Sequence, residues 1–414
     1  MKPFFNRFRV VGLVGIVFAA LLFWLVAQQV PWEAFSTLRI TYPGARPVDP
    51  PLLDIPLPTL ITVLIISLGL IVGGIYTMLR QQAQLIPWYV GSIIFATMFT
   101  ILIWASVERR VDIVDMFARM VRLATPIALG AMAGILCERS GIVNIAIEGL
   151  MLTGACVGFI IALLAGNPWV GILGAMAAGG AIVMLHALLS IRFKTDQIIS
   201  GTVINILAVG ATGFMRTAII LPLQAQGNTG ASLPILPIPL LSQIPILGPI
   251  LFTHQPIAYA MLLLVPILTV LLFRTPWGLR TRSIGENPRA ADTMGIDVIR
   301  MRYMNVFLAG LIAGLAGAWL SLEATFNFDD LMTNGRGFIA LAAMIFGNWM
   351  PFGALGGAML FSFSDALQIK IQSFDFALPP QFIQMLPYII TIVVLAGVVG
   401  RTRAPAAVGK PYEK

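Results

Sequence analysis

Long uncharged apolar stretches, separated by short polar segments, run through this chain of 414 residues. A helix that crosses a bilayer needs about 20 mainly apolar residues. The pattern predicts about twelve hydrophobic segments, near residues 10–30, 57–79, 85–107, 123–137, 142–166, 169–191, 198–220, 255–273, 303–324, 337–349, 352–371 and 385–400. Segments 123–137 and 337–349 are short, so we expect them to be tilted, broken or enclosed by neighbours. The sequence therefore predicts an all-α, polytopic membrane helical bundle.

Composition agrees with lipid as the solvent. The chain is 58% hydrophobic and 11% charged, whereas soluble domains carry about 25% charged residues. The net charge of +8 indicates cytoplasmic loops rich in Lys and Arg, and no nucleic-acid partner is expected. With the N-terminus inside, both termini and the loop 274–302 are cytoplasmic, which predicts a multi-pass protein of the plasma or inner membrane. The first apolar run is long and lacks a clean cleavage site, so we interpret it as a retained anchor.

The arginines between residues 109 and 122 lie on the unfavoured outer side in this topology. Charged and apolar residues alternate through 108–122, which predicts an amphipathic helix on the outer surface. Small-residue pairs four positions apart, Gly130/Gly134, Gly310/Gly314 and Gly353/Gly357, would permit close helix packing.

The sequence lacks several common enzyme motifs. There is no P-loop, H-E-x-x-H or C-x-x-C pattern, so we expect no enzyme activity and no cofactor or metal bound by this chain. Cys137 and Cys156 are interpreted as small buried hydrophobes, and His186 and His254 are isolated.

One polar feature lies at the start of an apolar run, in segment 138–155. An ionisable residue inside a membrane costs about 3 kcal/mol and usually serves function. Asn144 and Glu148 are four residues apart, so we expect them to share a helix face. Two roles stay open: they line the substrate path, or Glu148 caps a neighbouring broken helix and fixes its packing.

A second polar feature covers residues 326–353 and places a loop, a short apolar helix and another break in succession. Discontinuous helices recur at transporter substrate sites because their ends present unpaired backbone groups. Phe326 and Phe338 are candidates for stacking on a flat ring, although loop aromatics also anchor at the interface. The predicted substrate path comprises Asn144, Glu148, Phe326, Phe338 and Asn348.

The polar loop after Phe273 predicts a short helix. Asn287 can cap a helix that begins at Pro288, a favoured first position for proline, and Gly295 can end it. Ala290, Ala291 and Met294 would form a small apolar face. Such a helix suits a cleft in a soluble partner; the alternative is an ordinary solvated loop.

Segments 138–155, 285–296 and 335–353 together resemble the permease subunits of bacterial ABC importers in the nucleoside and simple-sugar group. The resemblance covers about residues 124–400 and is greatest to the shorter of two paralogous permeases. It implies a type II importer permease fold of about ten core helices, with a second permease, cytoplasmic ATPase subunits that carry ATP and magnesium, and an extracytoplasmic substrate-binding lipoprotein as partners. The ATPase would dock on a loop containing Gly285, Glu286, Asn287, Pro288, Ala290, Ala291 and Gly295.

The predicted organisation is an N-terminal extension, 1–110, with about three spans, a permease domain, 111–403, and a cytoplasmic tail, 404–414. The predicted function is a permease for a nucleoside or related small polar solute. A monosaccharide or a branched-chain amino acid is the nearest alternative cargo. An ion-coupled secondary transporter is less favoured because carboxylates within the spans are sparse, and a noncatalytic scaffold is the remaining alternative.

Overall fold

The computed structural model of the chain describes residues 7–42, 44, 51–82, 85–228, 232–374, 385 and 403–413. Its helices are α1 (Arg7–Gln29), α2 (Thr59–Arg80), α3 (Leu85–Ala105), α4 (Ile113–Arg139), α5 (Ile147–Ala165), α6 (Pro168–Ala187), α7 (Gln197–Met215), α8 (Leu221–Ala225), α9 (Leu247–Leu251), α10 (Pro256–Arg274), α11 (Pro276–Glu286), α12 (Pro288–Thr293), α13 (Val298–Ala318), α14 (Arg336–Phe346) and α15 (Pro351–Gln372). The strands are β1 (Phe35–Ile40), β2 (Leu53–Pro58), β3 (Arg110–Asp112), β4 (Leu236–Pro237) and β5 (Thr253–His254).

Within these residues, 10 helices are long and apolar enough to cross a membrane. The predicted polytopic helical bundle is therefore confirmed. The first eleven predicted segments each overlap a helix, and the last, 385–400, lies outside the described residues except for Met385. Helices α6, α7 and α13 continue directly into π-helical turns at Leu188–Arg192, Arg216–Ile220 and Trp319–Ala324.

The predicted amphipathic surface helix at 108–122 is wrong. Arg110–Asp112 is strand β3, and α4 then runs without interruption from Ile113 to Arg139. The Asp112 carboxylate caps this helix by accepting the backbone N–H of Val114 at 2.9 Å. Asp115 and Arg119 pair along one helix face at 3.3 Å, so the charges near the helix start partly neutralise each other. Segment 123–137 is thus one part of a longer helix, Ile113–Arg139.

Contacts divide the chain into two compact units. The first contains residues up to Val121, together with 238–253 and the described part of 361–401. Here β1 pairs antiparallel with β2 and parallel with β3, while Val26, Leu60 and Trp104 are core residues. The predicted domain boundary at 110/111 falls inside β3. None of these strands was predicted from the sequence, because the pattern of apolar runs indicated spans only.

The second unit contains residues 122–237, 254–360 and 402–414. Its helices α5, α6 and α13 approach closely where glycines meet. A Cβ on Gly154 would lie 2.7 Å from the Gly314 backbone, and one on Gly179 would lie 2.8 Å from the same residue. The predicted close packing at Gly310/Gly314 is therefore present, and it sets the positions of the helices around the candidate site.

Candidate functional site

Helix α14 is a half-length helix. The chain leaves the π-helical end of α13 at Ala324, passes through 325–335 without forming a helix, and starts α14 at Arg336. Its 11 residues make a helix about 16 Å long, which is about half the hydrocarbon thickness of a bilayer. Asn348 and Trp349 both have left-handed backbone conformations, with φ of 53° and 55°, and turn the chain into α15. The predicted succession of loop, short helix and break is present.

The Glu148 carboxylate binds the beginning of α14. Its Oε1 atom accepts the Gly335 N–H at 2.8 Å, and its Oε2 atom accepts the Gly337 N–H at 2.6 Å. A carboxylate is favoured here because a helix N-terminus carries unpaired N–H groups and partial positive charge. Gly337 leaves no room for a side chain, since a Cβ would lie 2.6 Å from the Glu148 backbone. Glu148 therefore caps a broken helix, which is one of the two roles predicted for it from the sequence.

The same carboxylate lines a pocket of about 340 Å³. Helices α5 and α7 and the start of α14 form its walls, and its lining residues are Glu148, Gly149, Leu152, Asn205, Ile206, Val209, Leu331, Thr333, Asn334, Gly335 and Phe338. The Phe338 side chain is 49% exposed, so much of its ring is available for contact. The pocket combines an aromatic ring, apolar walls and a few polar groups, which is typical of small-molecule sites.

Asn205 of α7 is a pocket residue that the sequence analysis missed. Its Oδ1 atom accepts the Gly149 N–H at 2.8 Å, and its Nδ2 atom donates to the Ile145 carbonyl at 3.0 Å. These bonds attach α7 to the beginning of α5, next to Glu148. The sequence signal for Asn205 was an amide side chain within an uncharged span.

Asn144 does not share a helix face with Glu148, so that prediction is wrong. Helix α5 begins only at Ile147, and the Asn144 side chain accepts the Ala146 N–H at 3.1 Å. Asparagine commonly makes such local bonds, which compete with helix formation. Gly141, with φ of 90°, helps to turn the chain after α4. Asn144 is fully buried and is not a pocket residue.

The other predicted path residues lie apart from the pocket. Phe326 is 45% exposed in the loop after α13. Asn348 is exposed beyond the last turn of α14, at the opposite end of that helix from Glu148. Of the five predicted path residues, the structure therefore places Glu148 and Phe338 together in one pocket.

Two residues at the end of α4 hold the break that follows α14. The Arg139 guanidinium donates to the Trp349 carbonyl at 3.1 Å, and the Glu138 carboxylate accepts the Trp349 indole N–H at 2.6 Å. Glu148 and this pair thus fix the two ends of α14 from α5 and α4.

A second carboxylate in a span uses the same chemistry. Glu323, which is 4% exposed, accepts the backbone N–H of Ile257 at 2.6 Å, at the beginning of α10. No motif in the sequence marks this residue. Among the described residues, no group of three or more His, Cys, Asp and Glu side chains could hold a metal ion.

The loop 274–302 contains two helices, α11 and α12, which meet at Asn287. The Asn287 Oδ1 atom accepts the Ala290 N–H at 3.1 Å, Pro288 occupies the first turn, and Gly295 follows the helix with φ of 80°. The predicted capped short helix is therefore present. Glu286, Ala290 and Met294 are exposed, and Met294 reaches 81% exposure.

Two residues of the predicted coupling set face inward instead. Ala291 is 4% exposed and packs in a small core with Ile284 and Val298. Gly285 lies directly against the Arg139 carbonyl, and a Cβ there would collide with it. The loop is thereby joined to the same residue that holds the break after α14.

Comparison with known proteins identifies the family. The model of the family described as branched-chain amino acid transport system / permease component matches residues 116–395. The guanosine ABC transporter permease protein NupQ of Bacillus subtilis is 42% identical over 302 residues, covering 70% of this chain and 94% of that protein. No solved structure gave a significant match.

Two further relatives match this chain over a similar length. The nucleoside ABC transporter permease protein NupC of Lactococcus lactis is 38% identical, covering 72% of this chain and 96% of that protein. A putative glucose ABC transporter permease protein, TsgC13 of Haloferax volcanii, is 35% identical, covering 71% of this chain and 96% of that protein. The resemblance stated from the sequence motifs is therefore confirmed.

Proposed function

Since the chain belongs to the family of branched-chain amino acid transport system permease components, we propose that it imports a nucleoside as the permease subunit of an ABC transporter. The observation that supports a nucleoside as the cargo is the similarity to a guanosine permease and a nucleoside permease, at 42% and 38% identity over nearly their whole lengths. The alternative cargo is a monosaccharide, favoured by the similarity to a putative glucose permease at 35% identity.

The pocket beside Glu148 supports a nucleoside. Its volume of about 340 Å³ is at the lower end of ordinary small-molecule sites, roughly 300–1,000 Å³. The exposed Phe338 ring offers a stacking surface for a purine base. The Glu148 carboxylate and the amides of Asn205 and Asn334 line the same pocket and offer partners for ribose hydroxyls.

An ABC permease works with an ATPase subunit and a substrate-binding protein. We assign the ATPase contact to the exposed surface around α12, formed by Glu286 at the end of α11, Ala290 within α12 and Met294 directly after it. A cap at Asn287 and a glycine after the helix keep it short and rigid, and its buried face is held by Ala291. On this assignment, α12, both termini and the loop 274–302 are cytoplasmic, and a second permease completes the pathway.

A reconstituted assay tests this function. The permease, its ATPase, its partner permease and its receptor are placed in vesicles, and uptake of labelled guanosine is measured with and without ATP. We expect ATP-dependent uptake that unlabelled adenosine reduces and that glucose and leucine do not. Phe338→Ala is expected to raise the KM for guanosine, whereas Phe214→Ala, which removes a 70% exposed ring of α7 that is not a pocket residue, serves as the control. Uptake by the permease alone under an ion gradient would contradict the proposal.

Bulky substitutions test the role of α12. Ala290→Trp and Met294→Trp are expected to leave the permease folded and to abolish ATP-driven uptake, because they block the proposed ATPase contact. Leu240→Trp, at an 80% exposed position far along the chain from α12, is the matched control. Normal uptake and normal ATPase association in both α12 variants would place the contact elsewhere.

A further inference from the structure

Residues 403–413, here called the strap, contact the end of α11. Residues 285–296, which contain the predicted ATPase-docking residues, are here called the coupling segment. The Ala407 N–H donates to the Gly285 carbonyl at 2.9 Å, and the Ala406 N–H donates to the Glu286 carboxylate at 3.2 Å. Ala407 is 5% exposed, although most of the strap is exposed. The strap is therefore attached to the two residues that immediately precede the Asn287 cap of α12.

The same strap is bonded to the turn between α4 and α5, which precedes Glu148, and to the break that follows α14. The Gly409 N–H donates to the Gly141 carbonyl at 3.2 Å, in the turn between α4 and α5. The Arg403 N–H donates to the Asn348 side chain at 3.3 Å, in the break after α14. Glu148 lies in the first turn of α5, which follows the turn at Gly141, so the strap connects the coupling segment with the elements that position the pocket.

The far end of the strap is held by side chains. The Tyr412 ring packs against the core of Ile284, Ala291 and Val298 beneath α12. Desolvation and a hydrogen bond to the Asp292 carboxylate raise the pKa of the Tyr412 hydroxyl. Glu413 pairs with Lys194 at 2.9 Å, and the hydrogen bond from Lys194 lowers the pKa of that carboxyl. The strap thus has attachments at its beginning, middle and end.

We propose that residues 403–413 are a positioning element that makes α12 and the turns at Gly141 and Asn348 move as one body. Movement imposed on α12 then reaches the break at Asn348 and the start of α5, and through Glu148 the beginning of α14. The inference rests on the proposed function, because the ATPase supplies the movement. Chains of hydrogen bonds and packed side chains that join elements with two arrangements are one physical means of coupling distant sites.

The strap is a connection additional to the one that the fold provides. Gly285 also lies against the Arg139 carbonyl, and Arg302 donates to the Ser140 carbonyl at 3.1 Å; neither contact involves a strap residue. Weakening the strap should therefore leave the permease folded while its turns lose their fixed relation to α12. The expected effect is on the number of nucleosides imported per ATP hydrolysed.

Ala407→Pro tests the central attachment, because proline removes the N–H that donates to Gly285. Ala404→Pro, at an exposed strap position, is the control. In reconstituted complexes we expect Ala407→Pro to lower the ratio of nucleoside imported to ATP hydrolysed by at least about fivefold, the lower range of measured coupling energies. ATP hydrolysis and the thermal midpoint should stay near wild type. An unchanged ratio would overturn the proposal.

A disulfide between Asn348→Cys and Arg403→Cys tests whether the strap and the break after α14 move together. The native residues are joined by a 3.3 Å hydrogen bond and lie outside the proposed ATPase contact. The native Cys137 and Cys156 are both buried, so the engineered pair is expected to react selectively. The cross-linked complex should keep the ratio of its reduced form if the two segments move as one body. Loss of uptake on cross-linking, restored by reductant, would show that they must separate and would overturn the proposal. This measurement also decides the question if Ala407→Pro does not fold. Absence of ATP-driven uptake by the wild-type complex would instead contradict the proposed function.

Discussion

Two carboxylates within spans, Glu148 and Glu323, each bind the N-terminus of another helix. Each accepts one backbone N–H at 2.6 Å, which is short, as hydrogen bonds to a charged acceptor usually are. Such bonds, with the positive end of the helix, offset the cost of placing a carboxylate in the membrane. Glu148 differs from Glu323 in also lining the pocket, so one residue fixes a half-length helix and presents a polar group to the cargo.

Glu148→Gln tests this dual role. A glutamine side chain has one carbonyl oxygen for two N–H donors, and its amide group opposes the other donor. We expect the free energy of unfolding to fall by about 2 kcal/mol, the value of a hydrogen bond to a charged group, and guanosine uptake to fall with it. Thermal unfolding in detergent and uptake in vesicles measure the two effects. Glu33→Gln, at an exposed position, is the control. A free energy of unfolding for Glu148→Gln equal to that of the wild type would contradict the assigned hydrogen bonds.

Helices pack closely around the site because glycines remove side chains where backbones meet. Gly314 of α13 lies against the backbone of Ala175 and Met176 in α6, and Gly154 of α5 lies against Gly314. Gly130 and Gly134 of α4 likewise face α14, since added Cβ atoms would lie 2.8 Å from Ala340 and Met344 side chains. In lipid, such close packing is a main source of helix association.

Gly314→Ala tests the contact between α6 and α13. The added methyl group would meet backbone atoms, which cannot rotate away, so we expect destabilisation of about 1–3 kcal/mol, as for other overpacked cores. Gly356→Ala in α15 is the matched control, because no other group lies within 4 Å of the Cβ position. Its melting temperature should equal or slightly exceed that of wild type, given alanine's higher helix propensity. Equal melting of both variants would contradict the close approach of α6 and α13.

At the scale of the molecule, ten candidate spans and a half-length helix are present in the described residues. The family match begins at residue 116, so α1 to α3 and the strands β1 to β3 precede the matched part. Within the second unit, the coupling segment, the strap and the turns at Gly141 and Asn348 form one bonded set. The proposed import mechanism requires this set to face the cytoplasm.

Cysteine labelling tests that orientation. Met294→Cys in the coupling segment and Leu240→Cys in the loop before α10 replace residues that are 81% and 80% exposed. The candidate span α10 separates the two loops, so a cytoplasmic loop 274–302 requires the loop before α10 to face outward. In intact cells, a membrane-impermeant thiol reagent should therefore label Leu240→Cys only, and Met294→Cys should become reactive after permeabilisation. The wild-type chain is the control, because its two cysteines are buried. Labelling of Met294→Cys in intact cells would place α12 outside and remove the ATPase from the proposal.

The features that the sequence determined depend on local chemistry. Apolar runs of bilayer length specify spans wherever water is excluded. Asn287, Pro288 and Gly295 set the beginning and end of α12 through capping and backbone preference, and polar breaks on both sides delimit α14. The motifs at Glu148 and in this loop also carried the family resemblance.

Only the tertiary structure decided which distant groups meet. Nothing in the local pattern distinguishes Asn205, which joins α7 to α5, from other amides, and Asn144 was displaced from the helix by a local bond. The continuation of α4 through the charged stretch depends on pairing and on β3 contacting β1. Hydrogen bonds between residues more than a hundred positions apart, such as Ala406 to Glu286, arise only when folding has fixed both partners. Periodicity and capping act over a few residues, whereas the site and the strap are made by contacts that no local pattern encodes.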